Sequence, residues 1–215
     1  GWRTGIALDA SASMRGWYGR ALEGKVPPDV VKDYEGRGWV HMNEQDGRKT
    51  RSFESEAYDD AIKRGYLKFS ENIVQPIARD FIAYLSSNFD ACGATTVMYW
   101  ACGDGRVVEE LGSFTAQQSA LLQVPGPINT PFGQGTHLLP VLKRFVEMFV
   151  DAKRSMFVFV TDGRLDDIKD VVDYTTSLAL TIEAGTRNPI KCVLIGVGNG
   201  IDESQMEVLD NLDTG

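Results

Sequence analysis

The chain has 215 residues, 43% of them hydrophobic and 24% charged, the composition of an ordinary soluble globular protein with apolar material for a full core. Its 22 Lys and Arg against 30 Asp and Glu leave a net charge of −8, which argues against a general nucleic-acid binder, whose affinity rests on excess positive charge, and is compatible with cation binding. No apolar run approaches the roughly 18 residues of a membrane span and no charged-then-apolar leader is present, while the opening at Gly1, close to a strand, reads as an excised domain.

The first predicted element is the apolar run Thr4-Gly5-Ile6-Ala7-Leu8, a strand that ends in a carboxylate, Asp9. From about residue 15 to residue 68 the rhythm breaks. This stretch is polar and lacks core periodicity, with isolated aromatics at Trp17, Tyr18, Tyr34, Trp39, Phe53, Tyr58 and Tyr66. Long irregular connections are uncommon in compact domains and tend to be functional, so it reads as an insertion at about 15–68 before the first long helix. Only residues 59–66 suggest a short helix within it. Ile73, Ile77, Phe81 and Leu85, with Ala78 and Ile82, then form an apolar stripe at helical spacing, with Pro76 in the first turn.

Residues 95–101 (TTVMYWA) form the next continuous apolar run, and after the turn Gly103-Asp104-Gly105 residues 106–111 (RVVEEL) make an antiparallel hairpin partner. Leu138, Leu142, Phe145 and Phe149 mark a second helix, residues 155–161 (SMFVFVT) a strand, and 168–182 a third helix. A last strand, 190–197 (IKCVLIGV), and a last helix, 205–212, close the chain. Continuous rather than alternating apolarity marks strands covered on both faces. The predicted fold is therefore α/β and doubly wound, one Rossmann-like domain over 1–215. Its sheet has about six mostly parallel strands, with the first central and the 106–111 segment an antiparallel edge.

Cys92, Cys102 and Cys192 are odd in number and show no CxxC spacing, so they read as buried free thiols in a reducing, cytoplasmic compartment. With His41 and His137 they are too scattered for a zinc site.

The chemistry concentrates after the first strand. Asp9-Ala10-Ser11-Ala12-Ser13 places a carboxylate and two hydroxyls at alternate positions on a loop at the carboxyl end of a strand, where open α/β sheets bind ligands. Hard cations such as Mg²⁺ take such oxygen ligands and retain several waters. Gly133-Gln134-Gly135-Thr136, before a helix, and Thr161-Asp162-Gly163, after a strand, reach the same rim. The bland reading of the Asp-Ser loop is a local turn cap, which leaves Thr136 and Asp162 unexplained. Asp104 reads as a turn residue, Asp166 and Asp167 as a solvated helix start, and His137 as facing solvent or a partner. Gly196-x-Gly198-x-Gly200 reads as a turn into the last helix rather than a dinucleotide site, because no βαβ unit follows it.

Asp9, Ser11, Ser13, Thr136 and Asp162 together resemble the metal-ion-dependent adhesion site of von Willebrand factor type A domains, and the element order resembles that family along essentially the whole chain. The resemblance implies direct coordination of a divalent cation, Mg²⁺ with Ca²⁺ or Mn²⁺ able to substitute, by Ser11, Ser13 and Thr136. Asp9 and Asp162 would act largely through water. It also implies a protein partner whose Asp or Glu completes the coordination shell, in a module that catalyses nothing. Tyr66, Val74-Gln75 and Asn88-Phe89-Asp90-x-x-Gly93 are similar to intracellular bacterial type A domains of the tellurium-resistance and stress-response group, from which the 15–68 insertion departs. The alternative is a Mg²⁺-dependent phosphoryl-transfer enzyme with Asp9 as nucleophile, although Ser11 stands where that chemistry commonly wants a second acid.

Overall fold

Burial on both faces decides the sheet. In a computed structural model that describes residues 1–45, 48–198 and 202–211, the strand β1 (Arg3–Asp9) is buried from Thr4 onward. Strands β6 (Thr95–Cys102) and β8 (Ser155–Thr161) are buried throughout. With β7 (Val107–Phe114) and β9 (Ile190–Gly196) they form a five-stranded sheet in the order β7-β6-β1-β8-β9. All neighbours are parallel except β6 and β7. The central first strand and the antiparallel edge agree with the sequence reading. The count does not: the central sheet has five strands among the described residues, where about six were expected.

Helices cover both faces. Helix α3 (Val74–Asn88) contributes Val74, Ala78, Ile82 and Leu85 to one core with Ile6, Leu8, Val97, Tyr99, Val158 and Val160. Helix α5 (Leu139–Met148) packs Val141, Leu142, Phe145 and Val146 on the opposite face, against Ala7, Met98, Trp100, Phe157 and Phe159. The period-2 alternation of Ile6, Ala7 and Leu8 between the two cores is what a doubly covered strand requires. Gly5 lets α5 come close, because a methyl group there would lie 2.5 Å from Phe145 Cε1. The Phe145 ring stacks on Phe157 with centroids 4.9 Å apart. Helix α6 (Ile168–Glu183) joins the α5 face, and the short α4 (Ala116–Ser119) follows β7 behind a Thr115–Gln118 capping box. Helix α7 (Glu203–Asp210) follows β9.

The insertion is folded, which the sequence reading did not anticipate. Strands β2 (Leu22–Gly24) and β5 (Leu67–Phe69) pair antiparallel as a stem. Between them lie α1 (Pro28–Gly36), the hairpin β3 (Val40–Gln45) with β4 (Arg48–Phe53), and α2 (Ser55–Lys63). The expected 59–66 helix thus begins earlier, at Ser55. Val30, Tyr34, Val40, Ala57 and Ala61 make a separate small core, flanked by Trp39, Phe53 and Tyr66. Four of the aromatics that look isolated in the sequence, Tyr34, Trp39, Phe53 and Tyr66, line this core, while Trp17 and Tyr18 pack into the main core and Tyr58 is exposed.

Two of the three cysteines also differ from expectation. Cys102 is buried, whereas Cys92 and Cys192 are exposed, Cys92 in a turn and Cys192 on the open edge strand β9. No helix among the described residues is long and apolar enough to cross a membrane.

Candidate metal centre

Parallel pairing of β1 with β8, in register at Leu8 and Val160, delivers Asp9 and the Thr161-Asp162 pair to the same carboxyl-end rim. Asp9 is fully buried, and both its oxygens are held. Ser11 N donates to Oδ1 at 2.7 Å, and Thr161 Oγ1 donates to Oδ2 at 2.6 Å. Tyr18 Oη, buried beneath, donates to the Asp9 carbonyl at 2.8 Å. The first loop then turns through a short 3₁₀ segment, Ala12–Arg15. Its two serines lie side by side, Ser11 Oγ 3.1 Å from Ser13 Oγ, and Ser13 Oγ donates to Asp162 Oδ1 at 2.8 Å. Trp17 Nε1 donates to the other oxygen of Asp162 at 3.2 Å.

The second loop is fastened to the first through its backbone. Gly133 N donates to the Ala10 carbonyl at 2.9 Å, and Ala12 N donates to the Gly133 carbonyl at 2.8 Å. A side chain at Gly133 would place its first carbon 1.7 Å from the Ala101 carbonyl oxygen, so only glycine permits this approach. Thr136 is brought to the rim by a reciprocal pair with Asp166. Thr136 N donates to Asp166 Oδ2 at 2.8 Å, and Asp166 N donates to the Thr136 carbonyl at 2.9 Å. Four of the five expected residues, Asp9, Ser11, Ser13 and Asp162, therefore form one hydrogen-bonded chain. Thr136 is not hydrogen-bonded to that chain among the described residues: its backbone pairs with Asp166, and only the loop that carries it is tied to the first loop, at Gly133.

Asp166 is exposed just before the helix, as a solvated start would be, although its carboxylate also holds Thr136 N; Asp167 is not solvated. Asp167 is buried and accepts from Leu138 N and Leu139 N, both at 2.9 Å, satisfying otherwise orphaned amides where α5 begins. The third loop is anchored in turn by Gln205 of α7, whose amide donates to the Leu165 carbonyl at 2.9 Å and accepts from Leu165 N at 2.8 Å. His137 is also not simply solvent-facing: its Nδ1 is buried with no hydrogen-bond partner among the described residues. Asp104 is the turn residue expected, accepting from Arg106 N at 3.0 Å. Gly200, the last glycine of the rejected nucleotide motif, lies outside the described residues. Trp17, Thr161, Asp166 and Asp167 are the site residues the sequence reading missed; only Thr161, adjacent to Asp162, carried a local signal.

Among the described residues the two acids of the rim have no ion-pair partner. Burial pushes the Asp9 carboxyl up to about 6 and the nearby Asp162 charge adds to this, against the Thr161 and Ser11 donors that favour its ionised form. Asp162 is itself 8% exposed. No group of three or more His, Cys, Asp or Glu comes together there among the described residues. The donor set is thus hydroxyl-rich and all-oxygen, with two carboxylates, which fits a hard divalent cation and not a soft one. No protein-family model matches the chain, and no curated protein matches it.

Proposed function

We propose that this chain is a cation-dependent protein-interaction module of the von Willebrand factor type A kind. The observation that supports it most is the pairing of two buried acids, Asp9 and Asp162, with two serine hydroxyls at a sheet-end rim and, among the described residues, no cationic side chain ion-paired with them. Burying unpaired carboxylates is costly unless something neutralises them.

On this reading Ser11, Ser13 and Thr136 would hold the ion, Mg²⁺ by preference. Asp9, with both oxygens engaged by Ser11 N and Thr161, orients the first loop and acts from behind it. A bound cation supplies a positive charge with an exchangeable position for a carboxylate of a protein partner. Ser13, exposed at the rim, lies where that carboxylate would arrive. The same burial speaks against Asp9 as a phosphoryl-accepting nucleophile, since a nucleophile must reach its substrate.

Capture of partners on the immobilised domain, with Mg²⁺ or with chelator and repeated with Asp9→Ala, tests the reading. A partner held only by the native chain with Mg²⁺ supports it. A partner retained equally in all conditions removes the cation from the mechanism, and Mg²⁺-dependent phosphoester turnover lost in Asp9→Asn would install the enzyme instead.

A further inference from the structure

Trp17 stands where four segments meet. Its indole Nε1 holds Asp162 Oδ2 at 3.2 Å, while Ser13 Oγ holds the other oxygen of that carboxylate at 2.8 Å. The loop after β9 lies against the ring: a methyl group on Gly198, whose φ is +78°, would sit 2.7 Å from Trp17 Cζ2. The Trp17 carbonyl accepts from Ile73 N at 2.9 Å and from Val74 N at 3.2 Å, where α3 begins. The chain leaves this point for the insertion and returns to it, with Tyr18 bridged to Asn72 and Ser70 Oγ donating to the Gly16 carbonyl at 2.7 Å.

A carboxylate with two oxygens can rotate, and a donor on one of them fixes where the other points. With Oδ2 held by the indole, Oδ1 stays turned toward the serine pair. We propose that Trp17 is the positioning residue of this site, aiming Asp162 at a bound divalent cation and keying the base of the insertion to the site's occupancy. This rests on the cation-binding reading above. A partner that grips the insertion thereby acts on the cation site through one side chain, and cation binding in turn steadies the stem.

Mg²⁺ titrations of the native chain, Trp17→Phe, Trp39→Phe and Gly198→Ala, read by calorimetry and by indole emission, test this. Trp39 belongs to the insertion's own core, 5.6 Å from the Tyr34 ring, and serves as the control. The native chain should show a saturable emission change on binding. Trp17→Phe keeps a ring against Gly198 but loses the N–H; it should lose that change and bind Mg²⁺ roughly tenfold more weakly, with the metal-free melting temperature lowered only by the one lost hydrogen bond. Trp39→Phe should keep both signals. Gly198→Ala crowds the ring without touching Asp162 and should also weaken binding. Native affinity in Trp17→Phe, or in folded Gly198→Ala, overturns the proposal, as does a lowered metal-free melting temperature with unchanged affinity, which would make Trp17 structural only. A native chain that takes up no Mg²⁺ removes the cation reading itself, and the role of Trp17 with it.

Discussion

Asp9 concentrates the electrostatic cost of the site in one buried group. Its folded pKa of about 6 lies above the ordinary 3.8, so the fold binds a proton that the unfolded chain releases. Without metal, the stability associated with that proton is complete below pH 3.8 and is lost as pH rises through about 6. The loss approaches roughly 3 kcal/mol near neutrality. Denaturant unfolding in chelator at acid and neutral pH should therefore show a downward slope that Asp9→Asn lacks, and Mg²⁺ should recover stability at neutral pH only. A native chain with the same slope as Asp9→Asn would contradict this. Asp167 acts differently, by satisfying two amides at the start of α5. Asp167→Ala strands both, and about 2 kcal/mol of stability should go with them in the same unfolding experiment.

At the scale of elements, the sequence was most legible where burial is two-sided. The unbroken apolar runs of β6 and β8 have only one physical use, and the stripes of α3 and α5 face the sheet as their spacing requires. Phe145, fully buried between Gly5 and Phe157, is the keystone of one face. Phe145→Ala should cost about 3–5 kcal/mol, seen as a large drop in melting temperature. The insertion was illegible for the converse reason. Its core is five small or scattered residues drawn from two short helices and a strand, too few per element to leave a periodic signal. Its stem nevertheless defines an excision. Gly24 pairs with Leu67, so residues 25–66 can be replaced by a two-residue Asn-Gly turn. The shortened chain should keep its fold and its Mg²⁺ affinity, because Trp17 and the stem remain. Loss of Mg²⁺ binding in a folded excision variant would show that the insertion shapes the site directly.

Across the whole molecule, the site is a product of topology. Three loops from distant parts of the chain meet because β1 is central, β8 lies beside it in parallel, and Gly133 allows the second loop to cross close to Ala101. The Asp-Ser-Ser, Thr and Asp positions were readable because each follows or precedes a recognisable element. Trp17, Asp166 and Asp167 were not, since their partners lie 145, 30 and 29 residues away in sequence and nothing local announces the pairing. The proposed function rests on one property, that the rim of Asp9, Ser11, Ser13, Thr136 and Asp162 takes up a divalent cation. Calorimetric titration of Mg²⁺ into the metal-free native chain and into Asp9→Ala at neutral pH tests it most directly. The native chain should show saturable single-site binding that Asp9→Ala loses; equal heats from the two proteins, or none from either, would contradict cation uptake at this rim.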